Sequence, residues 1–169
     1  MLSLKTARLL VRPCRLPVLT EIYLRGAQVG KMLNAVVPLS WPQPDLQEVL
    51  PYYIETLQAD PEAYLWFFWV IIDRKQKILL GDTGFKGMPD KAGVVEIGYR
   101  ILPEYRNQDI ATEAVKALIE WAFQQAGVNR VVAECEATNN ASIRVLEKSG
   151  MQQAMPDNEM LKWYVDRKV

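Results

Sequence analysis

The stretch VVEIGYRILPEYRNQDIATEAVKALIEWAFQQAG, residues 94–127, decides the predicted fold. Its first part has the two-residue period of a β-strand, because apolar residues alternate there with polar residues and glycine. The apolar positions are Val95, Ile97, Tyr99 and Ile101. Pro103 ends this strand, since proline has no N–H to donate to a ladder. A helical period follows from Ile110, with Gly127 as its end signal and one apolar stripe at Ala111, Val115, Leu118 and Ala122.

The loop between this strand and this helix, residues 106–109, is a predicted anion site. A helix N-terminus exposes backbone N–H groups that have no intrahelical partner, and the helix dipole adds partial positive charge there. A strand that enters the helix through a short loop aims these groups at one point. The alternative is an ordinary strand–helix connection with a capped helix and no ligand.

The run EIGYRILPEYRNQDIATEAVKALIEWAF resembles motif A of the GNAT superfamily of acetyl-CoA-dependent N-acetyltransferases, and within it the RimJ/RimL-like branch. In that family a loop Arg/Gln-x-x-Gly-x-Gly/Ala holds the coenzyme A pyrophosphate with its backbone amides. Arg106 and Ala111 match this loop, whereas Asp109 stands where the family has glycine. The resemblance implies acetyl-CoA as co-substrate, with the backbone of Ile101 and Leu102 pairing with the pantetheine arm. The coenzyme-binding residues that it implies in this stretch are Ile101, Leu102, Arg106, Asn107, Gln108, Asp109, Ile110, Ala111 and Thr112.

A second family signature, Asn-x-x-Ser-x-x-x-Leu-Glu-Lys-x-Gly, spans residues 139–150. By this match Asn139 contacts the pantetheine arm, and Ser142 lies near the thioester sulfur. Asn139 is equally an expected N-cap of the helix that follows. Many GNAT enzymes have a tyrosine seven residues after the asparagine as the acid for the departing thiolate, but this chain has Leu146 there. RimJ/RimL-like proteins commonly lack that tyrosine too, and a thiol with a pKa near ~8.5 leaves with little help.

An amine acceptor requires a base, because only the neutral amine attacks a thioester and amines have pKa values of about 8 to 10. Glu96 is the first candidate, since it lies on the predicted strand just ahead of the loop and faces away from Ile97 and Tyr99. The alternative reading makes Glu96 a surface residue or an ion-pair partner of Arg100. Weaker candidates on neighbouring strands are Asp82, Glu134 and Glu136.

The composition excludes several classes of protein. The chain of 169 residues has a formal net charge of zero, so nothing indicates a nucleic-acid or membrane partner. It contains no histidine, which excludes a Ser-His-Asp triad and a His-x-x-x-His zinc site, and its two cysteines lack metal spacing. We expect no metal, two reduced thiols and a cytoplasmic location, because no signal peptide or transmembrane run is indicated.

The remaining elements are predicted from period and turn residues. The opening run resembles that of RimJ/RimL-like sequences at Leu4, Thr6, Arg8, Leu9, Arg12 and Pro13. Further strands are predicted at 4–12, 64–73, 78–85, 130–136 and 160–167. Helices are predicted at 21–27 with Thr20 as cap, at 46–57 with Asp45 as cap and a kink at Pro51, and within 139–150. Within the second strand the aromatic rings should alternate, with Trp66 and Phe68 on one face and Phe67 and Trp69 on the other.

This order of elements predicts a single domain, residues 1–169, of the mixed α/β class. The resemblance implies the GNAT fold: a mostly antiparallel central sheet with one parallel, splayed strand pair, flanked by helices. The leading hypothesis is transfer of acetyl from acetyl-CoA to a primary amine, either a protein or peptide α-amine or a small-molecule amine. A second hypothesis is an acyl-CoA-binding module with weak or no turnover, suggested by Asp109. The family often forms homodimers, and the sequence leaves that open.

Overall fold

The structure, a computed structural model, describes residues 2–154 and 160–168. The strands are β1 (Leu4–Lys5), β2 (Leu9–Pro13), β3 (Phe68–Asp73), β4 (Leu79–Phe85), β5 (Val94–Ile101), β6 (Arg130–Glu136), β7 (Gln152–Gln153) and β8 (Met160–Asp166). They form one eight-stranded sheet in the order β1-β2-β3-β4-β5-β6-β8-β7. Neighbours in this sheet are antiparallel except for β5 and β6, which run parallel. The predicted mixed sheet with one parallel pair is confirmed.

Helices cover both faces of this sheet, which is the arrangement expected of a sheet with a core on each side. The α-helices are α1 (Leu16–Tyr23), α2 (Val29–Leu33), α3 (Pro44–Ala59), α4 (Ile110–Gln124) and α5 (Asn140–Lys148), and two 3₁₀ helices span Pro61–Trp66 and Pro103–Tyr105. No helix within residues 2–154 and 160–168 combines the length and the apolar character needed to cross a membrane.

Two hydrophobic cores result. The α4-side core contains the buried residues of α4, the inward residues Val95 and Ile97 of β5, and Leu146 of α5. The α3-side core joins residues of α1 and α3 to the opposite face of β3, which presents Phe68, Val70 and Ile72. Strand β3 is buried along most of its length on both faces, as a central strand between two layers should be.

The predicted strand–loop–helix unit is present. Strand β5 buries Val95, Ile97 and Ile101 and leaves the intervening residues partly exposed. The predicted apolar stripe of α4 is buried. Gly127 has a φ of 83° but lies in the turn that follows, because α4 already ends at Gln124.

The N-terminal elements differ from the predictions. The predicted strand 4–12 is broken between β1 and β2, where the amide of Thr6 donates to the carbonyl of Leu9 at 3.0 Å. The first helix begins at Leu16, five residues before its predicted start, with Pro17 in the first turn. Proline suits that turn because its missing N–H would have no partner there anyway. Thr20 is therefore not a cap: its hydroxyl donates to the carbonyl of Leu16 at 3.0 Å inside the helix.

The middle of the chain also differs from the predictions. Helix α3 starts at Pro44, so Asp45 is inside its first turn and does not cap it, and Pro51 lies within the helix without ending it. The predicted strand 64–73 begins only at Phe68, because Pro61–Trp66 is a 3₁₀ helix whose N-cap Asp60 accepts from the amide of Glu62. The predicted alternation of rings is consequently wrong for Phe67, which shares the α3-side core with its neighbour Phe68.

Candidate active site

In the middle of the sheet, β5 and β6 pair over only the first part of their length. These two parallel strands are paired in only three positions, with Val94, Val95 and Glu96 opposite Arg130, Val131 and Val132. Both strands continue beyond these pairs, β5 to Ile101 and β6 to Glu136. Their edges therefore face a cleft that begins just after Glu96 and opens towards the loop 106–109.

That loop is held by two arginines. The Nε of Arg106 donates to the carbonyl of Ile101 at 3.1 Å, and Nη1 of Arg8 donates to the carbonyl of Gln108 at 2.9 Å. Asn107 and Asp109 have φ values of 58° and 57°, in the left-handed region that favours glycine but that Asn and Asp tolerate best among other residues. The loop thus reaches a glycine-like shape without glycine.

Asp109 precedes α4, yet its side chain makes no capping hydrogen bond within the described part of the chain. Its carboxylate instead accepts from Nζ of Lys148, at the end of α5, at 2.6 Å. The hydrogen bond and the charge of Lys148 hold the pKa of Asp109 below its ordinary value. Asp109 therefore does not cap α4, and the first amides of α4 keep no side-chain partner at Asp109.

The first turn of α4 presents backbone amides that have no intrahelical partner. The amides of Ile110, Ala111 and Thr112 precede the first intrahelical bond, which runs from the amide of Glu113 to the carbonyl of Asp109. The hydroxyl of Thr112 is buried and has no hydrogen-bond partner among the described residues. Uncapped amides at a helix N-terminus form an arrangement that an anionic ligand completes.

Ile101 and Leu102, whose backbones are expected to pair with pantetheine, both make hydrogen bonds within the protein. Both groups of Leu102 are already engaged: its amide donates to the carbonyl of Leu80 at 3.0 Å, and its carbonyl accepts from the amide of Tyr105 at 2.9 Å. The carbonyl of Ile101 points to the other side of the strand, where it meets Arg106. The carbonyl of Ile101 is thus engaged as well, so neither residue offers a carbonyl without a partner for pairing with a ligand, and the amide of Leu102 is also engaged.

At the far wall of the cleft, α5 brings Asn139 and Ser142 together. The Oδ1 of Asn139 caps the helix by accepting from the amide of Ser142 at 3.1 Å. The hydroxyls of Ser142 and Tyr99 lie 2.8 Å apart and share a hydrogen bond. Burial raises the pKa of Tyr99 to about 12, so this phenol stays protonated. Leu146, at the position of the absent tyrosine, is fully buried.

Sequence reasoning treated Tyr99 only as part of an apolar alternation and missed this contact. A tyrosine in such a strand carries a hydroxyl that needs a partner when it is buried, and that was the available signal. Tyr99 thus spans the cleft from β5 to α5.

Glu96 lies on the opposite face of β5 from Tyr99. Its carboxylate forms an ion pair with Nζ of Lys86 and its side chain is 29% exposed. The predicted partner Arg100 is wrong, because two residues four apart on one strand are separated by about 13 Å. Lys86 lies directly across from Glu96 on the neighbouring chain segment, where its amide donates to the carbonyl of Glu96 at 2.9 Å.

Asp82 is the buried carboxylate of the region and is 3% exposed. Its Oδ2 accepts from Nε1 of Trp41 at 3.1 Å and its Oδ1 accepts from Nε of Arg100 at 2.8 Å. Arg100 also donates to Asp45 at 2.9 Å. Burial raises the pKa of Asp82, although Arg100 and Trp41 oppose the rise. With both oxygens engaged, Asp82 is better placed to position Arg100 than to accept a proton from a ligand.

A pocket of about 180 Å³ lies on this face of β4 and β5, between Asp82–Arg100 and Lys86, with Tyr53 of α3 as part of its wall. A larger groove of about 470 Å³ runs between the β1 segment and α4. The smaller pocket includes Tyr99 and Lys86, the ion-pair partner of Glu96, whereas the groove includes neither, so the smaller pocket is the better candidate for an acceptor site.

Comparisons with known proteins identify the family of the chain. The family model described as an acetyltransferase (GNAT) domain matches residues 8–152. The uncharacterized N-acetyltransferase YjdG of Bacillus subtilis is 33% identical over 150 residues, which cover 89% of each chain.

Solved structures share the fold at lower identity. The acetyltransferase (GNAT family) from Bacillus anthracis has a TM-score of 0.63 at 22% identity, covering 98% of both chains. A putative ribosomal-protein-serine acetyltransferase from Vibrio cholerae gives 0.67 at 17%, also with 98% of both chains covered. RimL, the ribosomal L7/L12 α-N-protein acetyltransferase in complex with coenzyme A, gives 0.63 at 16% and the same coverage. The family model and the B. subtilis relative each span most of the chain, which therefore belongs to the GNAT family and is an acetyl-CoA-dependent acetyltransferase.

Proposed function

We propose that the enzyme transfers acetyl from acetyl-CoA to a primary amine by direct attack of the amine on the thioester. The acceptor is the α-amine of a protein or peptide, or a small-molecule amine. One observation carries the proposal: β5 and β6 part just after Glu96, so a thioester in the cleft reaches the face of β5 that holds both Glu96 and the pocket.

Acetyl-CoA would lie along the open edge of β5 with its diphosphate at α4. The amides of the first turn of α4 and the loop residues Arg106, Asn107, Gln108 and Asp109 would surround the diphosphate. The backbone of Ile101 would pair with the pantetheine arm, and Asn139 would contact it from α5.

Glu96 would act as the general base. The acceptor amine arrives largely protonated at neutral pH and must lose one proton before its nitrogen attacks the carbonyl carbon. Within residues 2–154 and 160–168, the ion pair with Lys86 is the one side-chain contact of this carboxylate, and it holds the group in place beside the pocket. Asp82 is a weaker candidate because hydrogen bonds engage both of its oxygens.

Tyr99 and Ser142 would serve the leaving group. As the C–N bond forms and the C–S bond breaks, negative charge develops on sulfur. The paired hydroxyls of these two residues lie at the cleft wall, where one O–H can turn to the sulfur while the other keeps their mutual bond. The protonated phenol of Tyr99 acts as a hydrogen-bond donor, and solvent can supply the proton that the thiolate finally takes.

Among acceptors, the α-amine of a protein or peptide has some support. Two of the structurally similar proteins are named as a ribosomal-protein-serine acetyltransferase and as an α-N-protein acetyltransferase. The opening motif and the missing tyrosine at Leu146 resemble the same RimJ/RimL-like branch. An α-amine is also the easier substrate, because its pKa of about 8 is lower than that of a lysine side chain.

The alternative of binding without turnover depended on the charge of Asp109 next to phosphate. Lys148 pairs with that carboxylate at 2.6 Å and offsets its charge locally, which weakens the physical reason for the alternative. Asp109 is therefore compatible with a working coenzyme site.

The substitution Glu96→Gln tests the proposed base. We expect kcat to fall by about 10²-fold or more with the KM for acetyl-CoA little changed, because a base acts on the acceptor proton and does not hold the coenzyme. Steady-state assays that detect the released thiol, measured across pH, would report both quantities. Glu134→Gln, an exposed carboxylate on β6, is the control and should retain activity. A Glu96→Gln enzyme with full activity and an unchanged pH profile would remove Glu96 from the mechanism.

A further inference from the structure

Two glycines face each other across β4 and β5 inside the acceptor pocket. Gly84 and Gly98 are register partners, and both line the pocket. The ion pair of Asp82 with Arg100 lies at one end of this glycine pair, and Lys86, paired with Glu96, lies at the other. Because side chains alternate along a strand, these residues all project from the same face of the sheet.

The two glycines are not equivalent. A Cβ atom at Gly84 would lie 1.7 Å from the carbonyl oxygen of Phe67, so the close approach of β3 requires glycine there. A Cβ atom at Gly98 would meet no heavy atom of residues 2–154 and 160–168 within 4 Å, and Gly98 is not in the left-handed region. The fold therefore requires Gly84 but leaves Gly98 free to carry a side chain.

We propose that Gly98 sets acceptor selectivity: its missing side chain leaves the space in which the substituent of the acceptor amine lies. This inference rests on the proposed amine acetylation. Glu96 and Gly98 are two residues apart on one strand, so their Cα atoms are separated by about 7 Å. An amine at the Glu96 carboxylate thus has its first carbon atoms over Gly98.

The size of the pocket defines the class of acceptor. Its volume of about 180 Å³ is below the ~300–1,000 Å³ of sites that enclose a drug-sized ligand. Aromatic side chains of Tyr53 and Phe67 contribute to its wall. Its wall also includes the charged residues Asp45, Asp82, Lys86 and Arg100. The pocket accordingly suits a primary amine with one compact substituent, such as an N-terminal residue with a small or medium side chain.

A size series of α-amino amides tests this assignment with the full-length enzyme. Glycinamide, alaninamide, leucinamide and phenylalaninamide would be assayed at saturating acetyl-CoA by thiol release, with the wild type, Gly98→Ala and Gly98→Val. We expect kcat/KM for leucinamide and phenylalaninamide to fall by about 10- to 100-fold more than that for glycinamide in Gly98→Val, with Gly98→Ala between the two.

Stability and coenzyme binding provide the matched controls. Gly98→Ala should melt at or slightly above the wild-type temperature, because alanine reduces the freedom of the unfolded chain, whereas Gly84→Ala should melt lower. The Kd for acetyl-CoA measured by calorimetry should be unchanged in both Gly98 variants. A wild type that releases no thiol with any amine would overturn the proposed function and this inference with it. A wild type that turns over, with Gly98 variants that lose activity equally for all four amides, would overturn the role of Gly98 alone.

Discussion

Asp109 is the residue at which this chain departs most from the family loop. It adopts the left-handed conformation for which glycine is usual, and its carboxylate leaves the helix amides and pairs with Lys148. Sequence reasoning identified the conflict between a carboxylate and a phosphate at this position. It did not find the partner, because Lys148 is 39 residues further on and only the packing of α5 beside the loop brings it there.

Asp109→Gly should bind acetyl-CoA more tightly than the wild type. Glycine removes a negative charge next to the expected diphosphate and frees Lys148 to contact that anion. A single screened charge contact corresponds to a Kd lower by about tenfold. Calorimetric titration with acetyl-CoA would measure the change. Asp109→Asn is the matched control, because asparagine also tolerates positive φ but carries no charge. Equal affinities of the wild type and both variants would mean that Lys148 already neutralises the carboxylate in full.

The contacts of the candidate site residues could not be predicted from the sequence. Glu96 was selected as a carboxylate near the loop, yet its ion-pair partner Lys86 depends on the register between β4 and β5. Register depends on where the intervening turn ends, and a shift of one residue would reverse every side chain. The bond between Tyr99 and Ser142 similarly requires the position of α5 across the cleft.

At the scale of elements, Glu113 of α4 and the loop 106–109 before it are hydrogen-bonded to the segment between β1 and β2. Oε1 of Glu113 accepts from the hydroxyl of Thr6 at 2.5 Å and from the amide of Arg8 at 2.9 Å, and its Oε2 accepts from Nε of Arg8 at 2.7 Å. Arg8 also donates to the carbonyl of Gln108. Thr6 and Arg8 of the opening motif therefore hold the β1–β2 hairpin against the first turn of α4 and the loop 106–109.

Glu113→Gln should lower the free energy of unfolding by about 1–2 kcal/mol at pH 7, because it replaces charge-assisted hydrogen bonds by neutral ones at a mostly covered side chain. Burial opposes the charged form, but the hydrogen bonds from Thr6 and Arg8 hold the pKa of Glu113 below its ordinary value of 4.5. A carboxyl group with a lowered folded-state pKa stabilises the protein above the unfolded value and loses that effect as the pH falls through the folded value. The difference between variant and wild type should therefore shrink below about pH 4.

Urea denaturation at several pH values would measure this dependence. Glu120→Gln, an exposed carboxylate on the same helix, is the control and should unfold like the wild type at each pH. A Glu113→Gln protein with a deficit that stayed constant down to pH 3 would contradict the assignment of the effect to the charge.

Elements with a long and regular period were the ones predicted well. Strands β5 and β6 and helix α4 have clear periods of two or 3.6 residues, and their bounds agree closely with the predictions. The failures are elements that depend on local packing. Pro17 and Pro44 lie in the first turns of α1 and α3, ahead of the predicted starts of both helices, and the two-residue strands β1 and β7 have no period to detect.

At the scale of the whole molecule, the sheet consists of two parts joined by a short seam. Five strands, β1 to β5, form one antiparallel part, and β6, β8 and β7 form the other, with only three register pairs between β5 and β6. Both parts contribute to the α4-side core, which contains residues from β5, β6 and β8 around α4. The seam is therefore held by packing from α4 and α5 more than by backbone pairing.

Acetyl-CoA in the cleft would bridge the two parts, and it should raise the melting temperature. A ligand that binds only the folded state stabilises by about 2.7 kcal/mol at 100 times its Kd. For a chain of this size, each kcal/mol corresponds to about 2–4 °C, so we expect an increase of roughly 5–10 °C. Differential scanning fluorimetry with acetyl-CoA measures it, and ATP is the control, because it carries phosphates and adenine but has no pantetheine arm to pair with β5. An increase equal to that caused by ATP would indicate binding of a general polyanion, and no increase at millimolar acetyl-CoA would contradict the placement of the coenzyme between β5 and β6.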